Sequence, residues 1–329
     1  MQILVIGGTR FVGRHIVEAA LQRGHQVTLL HRGGGPDPFP TCEHLHLDRN
    51  GDLSALADRS FDAVVDVSSY VPRQVNVVAD ALGDRGGRYL YISTVSVYDL
   101  PAPGPFDEGH TRTPVPADPT TEDVTNETYG GLKVLCEDAA AARFPRPTVV
   151  RPTYVIGPDD YTRRFTYWVD RIARGGEVLA PAPRDAWLQV IDARDQGEFV
   201  VQLLEDDRDG TFHTVWPDVD RATFGDVLDE VVAAVGPEGT SLTWVAPAFL
   251  TEHGVDGEML PLWDAEDEEG GAPAKPDAAV AAGLRCRPVG QSARELLDAE
   301  RVDPTPDDGS WLTPAKEAEV LAAWHAVGP

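Results

Sequence analysis

The 329-residue chain carries 54 acidic and 28 basic side chains, which gives a formal net charge of −26. So negative a molecule repels nucleic acid and anionic lipid, so we expect neither as a partner. No apolar run is long enough to span a bilayer, and the chain opens directly on a strand pattern, so we expect a cytoplasmic protein. The three separated cysteines, Cys42, Cys136 and Cys286, suit reduced thiols better than a disulfide framework.

The first thirty residues predict a nucleotide-binding unit. QILVIGG begins as a short apolar strand, GGTRFVG (7–13) forms a glycine turn, and RHIVEAALQRG places apolar residues at helical spacing until Gly24. A second apolar run, HQVTLLHR, follows. In such a unit, backbone N–H groups and the helix N-terminus can meet a pyrophosphate. The turn residues that we expect to contact the cofactor are Gly7, Thr9, Arg10, Phe11, Val12 and Gly13.

The residues after the second strand predict which dinucleotide binds. An acidic residue about 20 positions after the glycine turn would hold the ribose 2′-hydroxyl of NAD. His31 and Arg32 stand there instead, and Arg10 replaces the middle glycine. Because a guanidinium suits a 2′-phosphate, we expect NADP rather than NAD as the cofactor. The alternative for Arg32 is a solvated loop charge.

A Tyr-x-x-x-Lys pair, Tyr129 and Lys133 in YGGLK, stands out in a chain with only three lysines. On a helix, positions i and i+4 share a face, so the ammonium can approach the phenol and favour the phenolate. A tyrosine in that setting can act as a general acid or base. The alternative is an exposed helical pair that contributes only about 0.2–0.5 kcal/mol.

Apolar runs alternate with helical patterns along the chain, which predicts an α/β fold with a doubly wound parallel (Rossmann) sheet. We expect its strands near 2–7, 26–31, 44–47, 62–67, 88–93, 147–153 and 211–215. Residues 1–157 plus about 186–217 would form the dinucleotide-binding domain. Residues of about 158–185 and 218–329 would form a smaller C-terminal substrate lobe.

The ordered set GGTRFVG, FDAVVDVSS (61–69), YISTVSVY (91–98), YGGLK and VRPTYVIGP (150–158) resembles the extended short-chain dehydrogenase/reductases, often labelled NAD-dependent epimerase/dehydratase. The likeness spans about residues 1–215. It implies that Thr94 binds the reacting oxygen and that Tyr129 and Lys133 are catalytic. It also implies a homodimer, and it implies cofactor contacts at Asp48, Ser68, Ser69, Tyr129, Lys133, Pro152, Tyr154 and Val155.

Three departures from the family pattern bear on the substrate. Val95 and Ser96 stand where sugar dehydratases of the family carry an Asp-Glu pair. Tyr154 replaces an asparagine and Leu188 an arginine that normally touch a substrate diphosphate. A nucleotide sugar is therefore disfavoured, and we expect a compact small molecule. The predicted substrate contacts are Tyr70, Thr94, Tyr98, Arg163, Phe165, Trp168 and Trp187.

A metal site is the remaining possibility near the third strand, where Cys42, His44 and His46 alternate on one face. Leu45 and Leu47 on the other face explain this alternation as ordinary strand patterning, and no matching distant ligand pair is evident. We therefore predict no metal.

Together these patterns predict an NADP(H)-dependent oxidoreductase that interconverts a ketone and a secondary alcohol on a small molecule. Hydride transfer would use Tyr129 as the general acid/base. One alternative is an epimerase that retains its NAD(P) cofactor. The other is a non-catalytic protein of the same fold that senses the cofactor or binds RNA.

Overall fold

The computed structural model of the protein describes residues 1–34, 37–100, 102, 104–216, 223–263, 272–302 and 309–328. The chain divides into two compact units. The first comprises Met1–Val155, Ala193–Pro217 and Ala274–Cys286, and the second Ile156–Asp192, Asp218–Pro273 and Arg287–Pro329. Ala274–Cys286 therefore belongs to the first unit, whereas the sequence analysis assigned it to the C-terminal lobe. A hydrogen bond from the Lys275 amide to the Phe106 carbonyl, 2.7 Å long, ties this segment there.

Seven parallel strands form the sheet of the first unit. They are β1 Gln2–Ile6, β2 Gln26–His31, β3 Glu43–His46, β4 Ala63–Asp66, β5 Arg88–Ile92, β6 Thr148–Pro152 and β10 Gly210–Thr214. Their spatial order is β10-β6-β5-β4-β1-β2-β3. The predicted doubly wound sheet and its seven strands are thus confirmed. Because successive connections run outward in opposite directions from β1 and β4, a crevice opens at the carboxyl ends of these strands.

Helices cover both faces of this sheet. On one face lie α2 Pro72–Leu82 and α3 Asn126–Arg143, and on the other α1 Phe11–Gln22 packs against α5 Ala193–Glu205. The core below α2 and α3 combines strand and helix residues, among them Leu4, Ile6, Val64, Val75, Val78, Cys136 and Ala140. Strand residues that alternate with these point to the α1 side. Short 3-10 turns at Ser54–Leu56, Gly83–Gly86 and Val95–Val97 and helix α8 Asp277–Ala281 complete the unit.

The second unit is built on a parallel strand pair, β8 Glu177–Pro181 and β11 Ser241–Val245. Its helices are α4 Arg164–Ala173, α6 Phe224–Val235, α7 Pro247–Glu252, α9 Val289–Val302 and α10 Pro314–Val327. Helix α4 packs against α6 and α9. Helix α10 is anchored by the buried Glu317, which accepts a hydrogen bond from Arg171 at 2.6 Å. The short strands β7 Tyr154–Ile156 and β9 Val190–Asp192 complete the element order.

Within the described ranges, none of the helices has both the length and the apolar character that crossing a membrane requires.

The contact between α1 and α5 depends on a glycine. A Cβ at Gly197 of α5 would lie 2.6 Å from the His15 carbonyl oxygen, so the two helix backbones approach too closely for a larger residue. We expect Gly197→Ala to destabilise the protein by about 1–3 kcal/mol, because the clash outweighs alanine's helix preference of about 1 kcal/mol. Urea unfolding measures this change. Gly104→Ala, where a Cβ meets nothing within 4 Å, is the control. Equal stability of the two variants would contradict this account of the packing.

Candidate cofactor and active site

The glycine turn after β1 has the geometry of a phosphate cradle. Gly7 has φ +88°, and a Cβ at Gly13 would lie 2.1 Å from the Gly7 carbonyl oxygen, so α1 can begin directly over the strand end only with glycine there. Arg10 precedes α1 as its N-cap residue without a side-chain cap hydrogen bond. The first-turn N–H groups therefore receive no acceptor from the cap, which fits binding of a pyrophosphate.

A cavity of about 250 Å³ lies beside this turn, at the carboxyl ends of β1, β2, β3 and β4. Six of the residues that the sequence predicted for the cofactor line it, namely Gly7, Thr9, His31, Arg32, Asp48 and Ser68. Four successive strand ends thus bring distant residues together, as the fold class requires. The sequence analysis missed other lining residues, namely Ile6, Leu30, Gly33, Leu47, Arg49, Asn50 and Gln74.

The floor of the cavity is held by a buried ion pair between Arg49 and Asp66. The guanidinium donates to both carboxylate oxygens, at 2.8 and 2.7 Å, and also to the Ser68 hydroxyl at 3.2 Å. Asp66 also accepts from the hydroxyls of Ser69 and Tyr89. Although burial opposes ionisation, the charge of Arg49 and these hydrogen bonds hold the pKa of Asp66 below its usual value.

This pair could have been recognised from sequence only in part. Arg49 directly follows the predicted adenine contact Asp48, and Asp66 ends the fourth apolar strand. Neither position has a spacing that predicts its partner 17 residues away. Ser69 needs a correction as well. Its side chain is fully buried and its hydroxyl donates to Asp66 at 2.6 Å, so it supports the cavity floor and does not line the cavity.

Lys133 occupies the interior next to the ends of β4 and β5. Its ammonium donates to the carbonyl oxygens of Ser69, at 3.0 Å, and Ile92, at 2.8 Å, and lies 4.3 Å from the centre of the Tyr91 ring. Burial lowers the pKa of this lysine to about 8, because the interior disfavours the charged form. Lys133 is therefore predominantly charged at neutral pH, although its pKa lies closer to neutral pH than that of an exposed lysine.

Helix α3 carries Tyr129 four residues before Lys133, as the sequence predicted. The helix begins in a capping box, since the Thr125 hydroxyl accepts from the Thr128 amide at 3.3 Å and the Thr128 hydroxyl accepts from the Thr125 amide at 2.9 Å. Tyr129 is half-buried, and its ring centre lies 6.4 Å from that of Tyr70. Tyr70 itself is 43 % exposed, which is compatible with its predicted contact to substrate.

The glycines of YGGLK explain how this helix reaches the end of β5. A Cβ at Gly130 would lie 2.2 Å from the Ser96 carbonyl oxygen, and one at Gly131 would lie 2.7 Å from the Pro114 carbonyl oxygen. Thr94, two residues before Ser96, accepts a hydrogen bond from the Ser96 amide and donates one to the Ser96 hydroxyl, both 3.1 Å long. Gly130 therefore lets α3 pack against the segment that carries Thr94, and Gly131 lets it pack against the loop that carries Pro114.

Three of the predicted substrate contacts need correction, because their side chains are buried. Tyr98 is 3 % exposed in the first unit, and Phe165 and Trp168 of α4 are 1 % and 0 % exposed in the second. The Trp168 indole N–H donates to the Pro261 carbonyl oxygen at 2.7 Å. The helical spacing of Phe165 and Trp168 thus reflects core packing of α4.

The remaining two contacts predicted in the second unit have different surroundings. Arg163 forms ion pairs with Asp170 at 3.0 Å and Glu300 at 2.9 Å, so two carboxylates already balance its charge. Trp187 is 37 % exposed, and its backbone forms a bridge with Thr223. The exposed ring remains open to the predicted contact.

Tyr98 instead joins a buried polar network below the Thr94 segment. Its hydroxyl lies 2.5 Å from both Nε2 of His213 and a guanidinium nitrogen of Arg151. Arg151 also pairs with Glu137 of α3 at 2.6 Å, and Glu137 accepts from the Ser93 hydroxyl at 2.6 Å. This network links β5, β6, β10 and α3, and it fixes the backbone on which Thr94 stands.

The third strand carries a histidine cluster that the sequence described in part. His44 and His46 share a face of β3, as predicted, and His31 of β2 completes a group whose ring nitrogens lie within 4.8 Å of one another. However, Nδ1 of His31 accepts the Gly33 N–H at 3.1 Å. A histidine that binds a metal through Nε2 carries a proton on Nδ1, which would face this donor. The hydrogen bonding of His31 thus opposes metal binding, and the absence of a metal stays a prediction.

Phe11 and Val12, also predicted for the cofactor, begin α1, and three further predicted residues lie near the carboxyl end of β6. Pro152 is its last residue and is buried, Val155 is half-buried, and Tyr154 is 40 % exposed. The Thr153 hydroxyl between them is buried and has no hydrogen-bond partner within the described residues. An unsatisfied hydroxyl at this edge, together with the glycine cradle, fits a bound dinucleotide.

The Arg49–Asp66 pair leads to a stability prediction. We expect Asp66→Asn to destabilise the protein by about 3–5 kcal/mol, because it leaves a buried guanidinium without its counter-charge. Asp80→Asn, which breaks an exposed pair with Arg143, should cost about 1 kcal/mol or less. Denaturant unfolding at neutral pH distinguishes the two. Similar losses in both variants would show that the buried pair is not what holds the cavity floor.

Comparison with solved structures agrees with this architecture. The Bordetella bronchiseptica enzyme WbmH, solved in complex with NAD+, has a TM-score of 0.68 at 17% identity, over 92% of this chain and 99% of that one. A human epimerase family protein solved with NADPH has a TM-score of 0.65 at 19% identity, over 91% of this chain and 99% of that one. At such identities the likeness concerns the fold.

Two sequence comparisons complete this picture. The chloroplast stem-loop binding protein of 41 kDa b from Arabidopsis thaliana is 27% identical over 197 residues. That alignment spans 55% of this chain and about half, 49%, of the plant protein. The model of the NAD dependent epimerase/dehydratase family matches residues 3–215. With this match, and with the cradle, cavity and Tyr-Lys helix in place, the chain belongs to the NAD dependent epimerase/dehydratase family.

Proposed function

We propose that the protein is an NADP(H)-dependent oxidoreductase that interconverts a ketone and a secondary alcohol on a small molecule. The observation that carries this proposal is the placement of Lys133. It is buried on α3, four residues after Tyr129, and donates to carbonyls at the ends of β4 and β5. A lysine buried at this cost, on the same helix as a tyrosine and at the carboxyl end of the parallel sheet, is typical of a catalytic site.

In this proposal the side chains divide the work of proton transfer. When bound, the nicotinamide cofactor supplies or accepts the hydride. Tyr129 donates a proton to the carbonyl oxygen during reduction and removes it during oxidation. The ammonium of Lys133 favours the phenolate form of Tyr129 and binds the ribose next to the nicotinamide. Thr94 turns its hydroxyl from Ser96 to the reacting oxygen.

The choice of NADP over NAD rests on the cavity rim. Arg32 lines the cavity together with His31, at the end of β2, where an acidic side chain would favour NAD. A guanidinium there can form charge-assisted hydrogen bonds with a 2′-phosphate. The human relative was solved with NADPH and the Bordetella enzyme with NAD+, so the family fold accommodates both.

An epimerase that retains its cofactor is the second candidate, and the name of the matching family supports it. The two reactions differ in stoichiometry, because a reductase consumes NADPH whereas an epimerase shows no net change. RNA binding is suggested by the name of the Arabidopsis relative. A net charge of −26 argues against it, since binding the phosphate backbone requires clustered cations.

The first test of this proposal concerns Arg32. Replacing it with alanine should weaken NADPH binding by about one to two orders of magnitude, since one charge-assisted phosphate contact contributes about 1.5–3 kcal/mol. NADH binding should change little. Calorimetric titration of both cofactors measures this difference. Arg143→Ala, which removes an arginine that pairs with Asp80 on the surface, is the control. Equal affinities of the parent protein for NADPH and NADH would contradict the NADP assignment.

The second test concerns the proton donor. Tyr129→Phe removes only the phenolic hydroxyl, so cofactor binding should survive while turnover falls by about 10²–10⁴-fold. The assay follows the loss of NADPH absorbance with a panel of ketones. A ketone that the parent enzyme reduces is then used to compare the variants. Tyr161→Phe, a change at a 55 % exposed tyrosine of the second unit, should leave turnover unaltered. Near-parental turnover of Tyr129→Phe would assign the Tyr-Lys pair a structural role.

A further inference from the structure

A cluster of three histidines borders the cofactor cavity. We call His31, His44 and His46 the histidine cluster. The strand register places His31 directly opposite His46, and the ring centres of these two lie 4.8 Å apart. His31 and His44 are half-buried and His46 is exposed. Of the three, His31 lines the cavity itself, next to Arg32.

The hydrogen bonds assign one tautomer to each of the two half-buried rings. The Gly33 N–H donates to Nδ1 of His31 at 3.1 Å, so Nδ1 carries no proton. Nε2 of His31 must then donate to Nδ1 of His44, 2.8 Å away. Nε2 of His44 in turn donates to the Phe39 carbonyl oxygen at 2.9 Å. Each ring is therefore neutral, and every ring nitrogen is used.

This series of hydrogen bonds opposes the addition of a further proton. Protonation of His31 on Nδ1 would place an N–H against the Gly33 N–H, and protonation of His44 on Nδ1 would place one against His31. Burial lowers the pKa of His31, and charge on His46 and His44 would lower it further, while Asp37 opposes this effect. In the absence of ligand His31 is thus held neutral at neutral pH.

The charges around the cluster are few and can be named. Asp37 lies 3.3 Å from Nε2 of His44, on the segment after β2. From the cavity side come Arg32 at the end of β2 and Asp48 and Arg49 after β3. Gly33, which holds Nδ1 of His31, has φ +76° and no side chain, so its peptide can turn away when the ring takes a proton.

We propose that the histidine cluster is a proton-linked part of the 2′-phosphate site, so that one proton is taken up when the phosphorylated cofactor binds and none when the unphosphorylated cofactor binds. This inference rests on the proposed NADP preference. A phosphate monoester adds about −1.5 to −2 charges near neutral pH and accepts several hydrogen bonds. Placed beside Arg32, it stabilises the protonated form of His31, which compensates for the lost Gly33 hydrogen bond.

The sign of the pH effect follows from linkage. Without ligand, the pKa of His31 lies below its ordinary value. Beside a phosphate, the pKa of His31 rises. Between these two values, binding takes up a proton, so affinity for NADP+ rises as the pH falls. NAD+ has no 2′-phosphate and creates no such window. The ratio of the two affinities should therefore grow towards acidic pH.

The experiment is calorimetric titration of the full-length protein with NADP+ and with NAD+ in two phosphate-free buffers that differ in ionisation enthalpy. At about pH 7, binding of NADP+ should be accompanied by proton uptake from the buffer, and binding of NAD+ should not. The dissociation constant ratio should shift by up to about tenfold per pH unit, the limit for one linked proton. His31→Asn should abolish the uptake and flatten the ratio, whereas His325→Asn, a change on α10 of the second unit, should preserve both.

The outcomes separate this inference from the proposal beneath it. NADP+ binding no tighter than NAD+ at any pH would overturn the NADP assignment. A constant preference for NADP+ without proton uptake would leave that assignment standing and overturn the role of the histidine cluster. Uptake that persists in His31→Asn would place the proton on another group of the protein and would also overturn the role of His31. If His31→Asn does not fold, the comparison of NADP+ with NAD+ in the parent protein still decides.

Discussion

The cofactor end of the protein depends on the ion pair between Arg49 and Asp66. The carboxylate is fully buried at the end of β4 and accepts from Arg49, from Ser69 and from Tyr89 of β5. The guanidinium also reaches the Gln74 carbonyl oxygen of α2 at 2.7 Å. One buried charge thus joins the segments after β3 and β4, strand β5 and helix α2. Because either charge alone would be costly in this interior, the four elements hold one arrangement.

The placement of Lys133 follows from this arrangement. The Ser69 hydroxyl donates to Asp66, and the Ser69 carbonyl oxygen accepts from the ammonium of Lys133. The position of the ammonium therefore depends on the floor of the cavity. Tyr91 also donates to the Ser69 carbonyl oxygen, at 2.8 Å. Lys133 is therefore positioned by β4 and β5 and not only by its own helix. This explains how a charged group can be kept in the interior.

Charge is distributed unevenly in this acidic protein. Against a net charge of −26, the cavity rim carries Arg32 and His31, and its floor carries Arg49. Arg49 is neutralised by Asp66, whereas Arg32 and His31 lie at the cavity rim. An anionic cofactor must approach an anionic molecule, so local positive charge at the cavity rim would favour its binding.

The sequence alone determined the fold class and the local features of the candidate site. Apolar runs of strand length, glycines at 7 and 13 and the Tyr129–Lys133 spacing are local features, and local features are what a sequence displays. Only the tertiary structure decided which side chains meet. It paired Arg49 with Asp66, added His31 to His44 and His46 across neighbouring strands, and buried Tyr98, Phe165 and Trp168. Aromatic residues at helical spacing give the same sequence pattern whether they line a core or a pocket. Which side chains meet across strands depends on the order and register of the sheet. Both are decided by long-range packing.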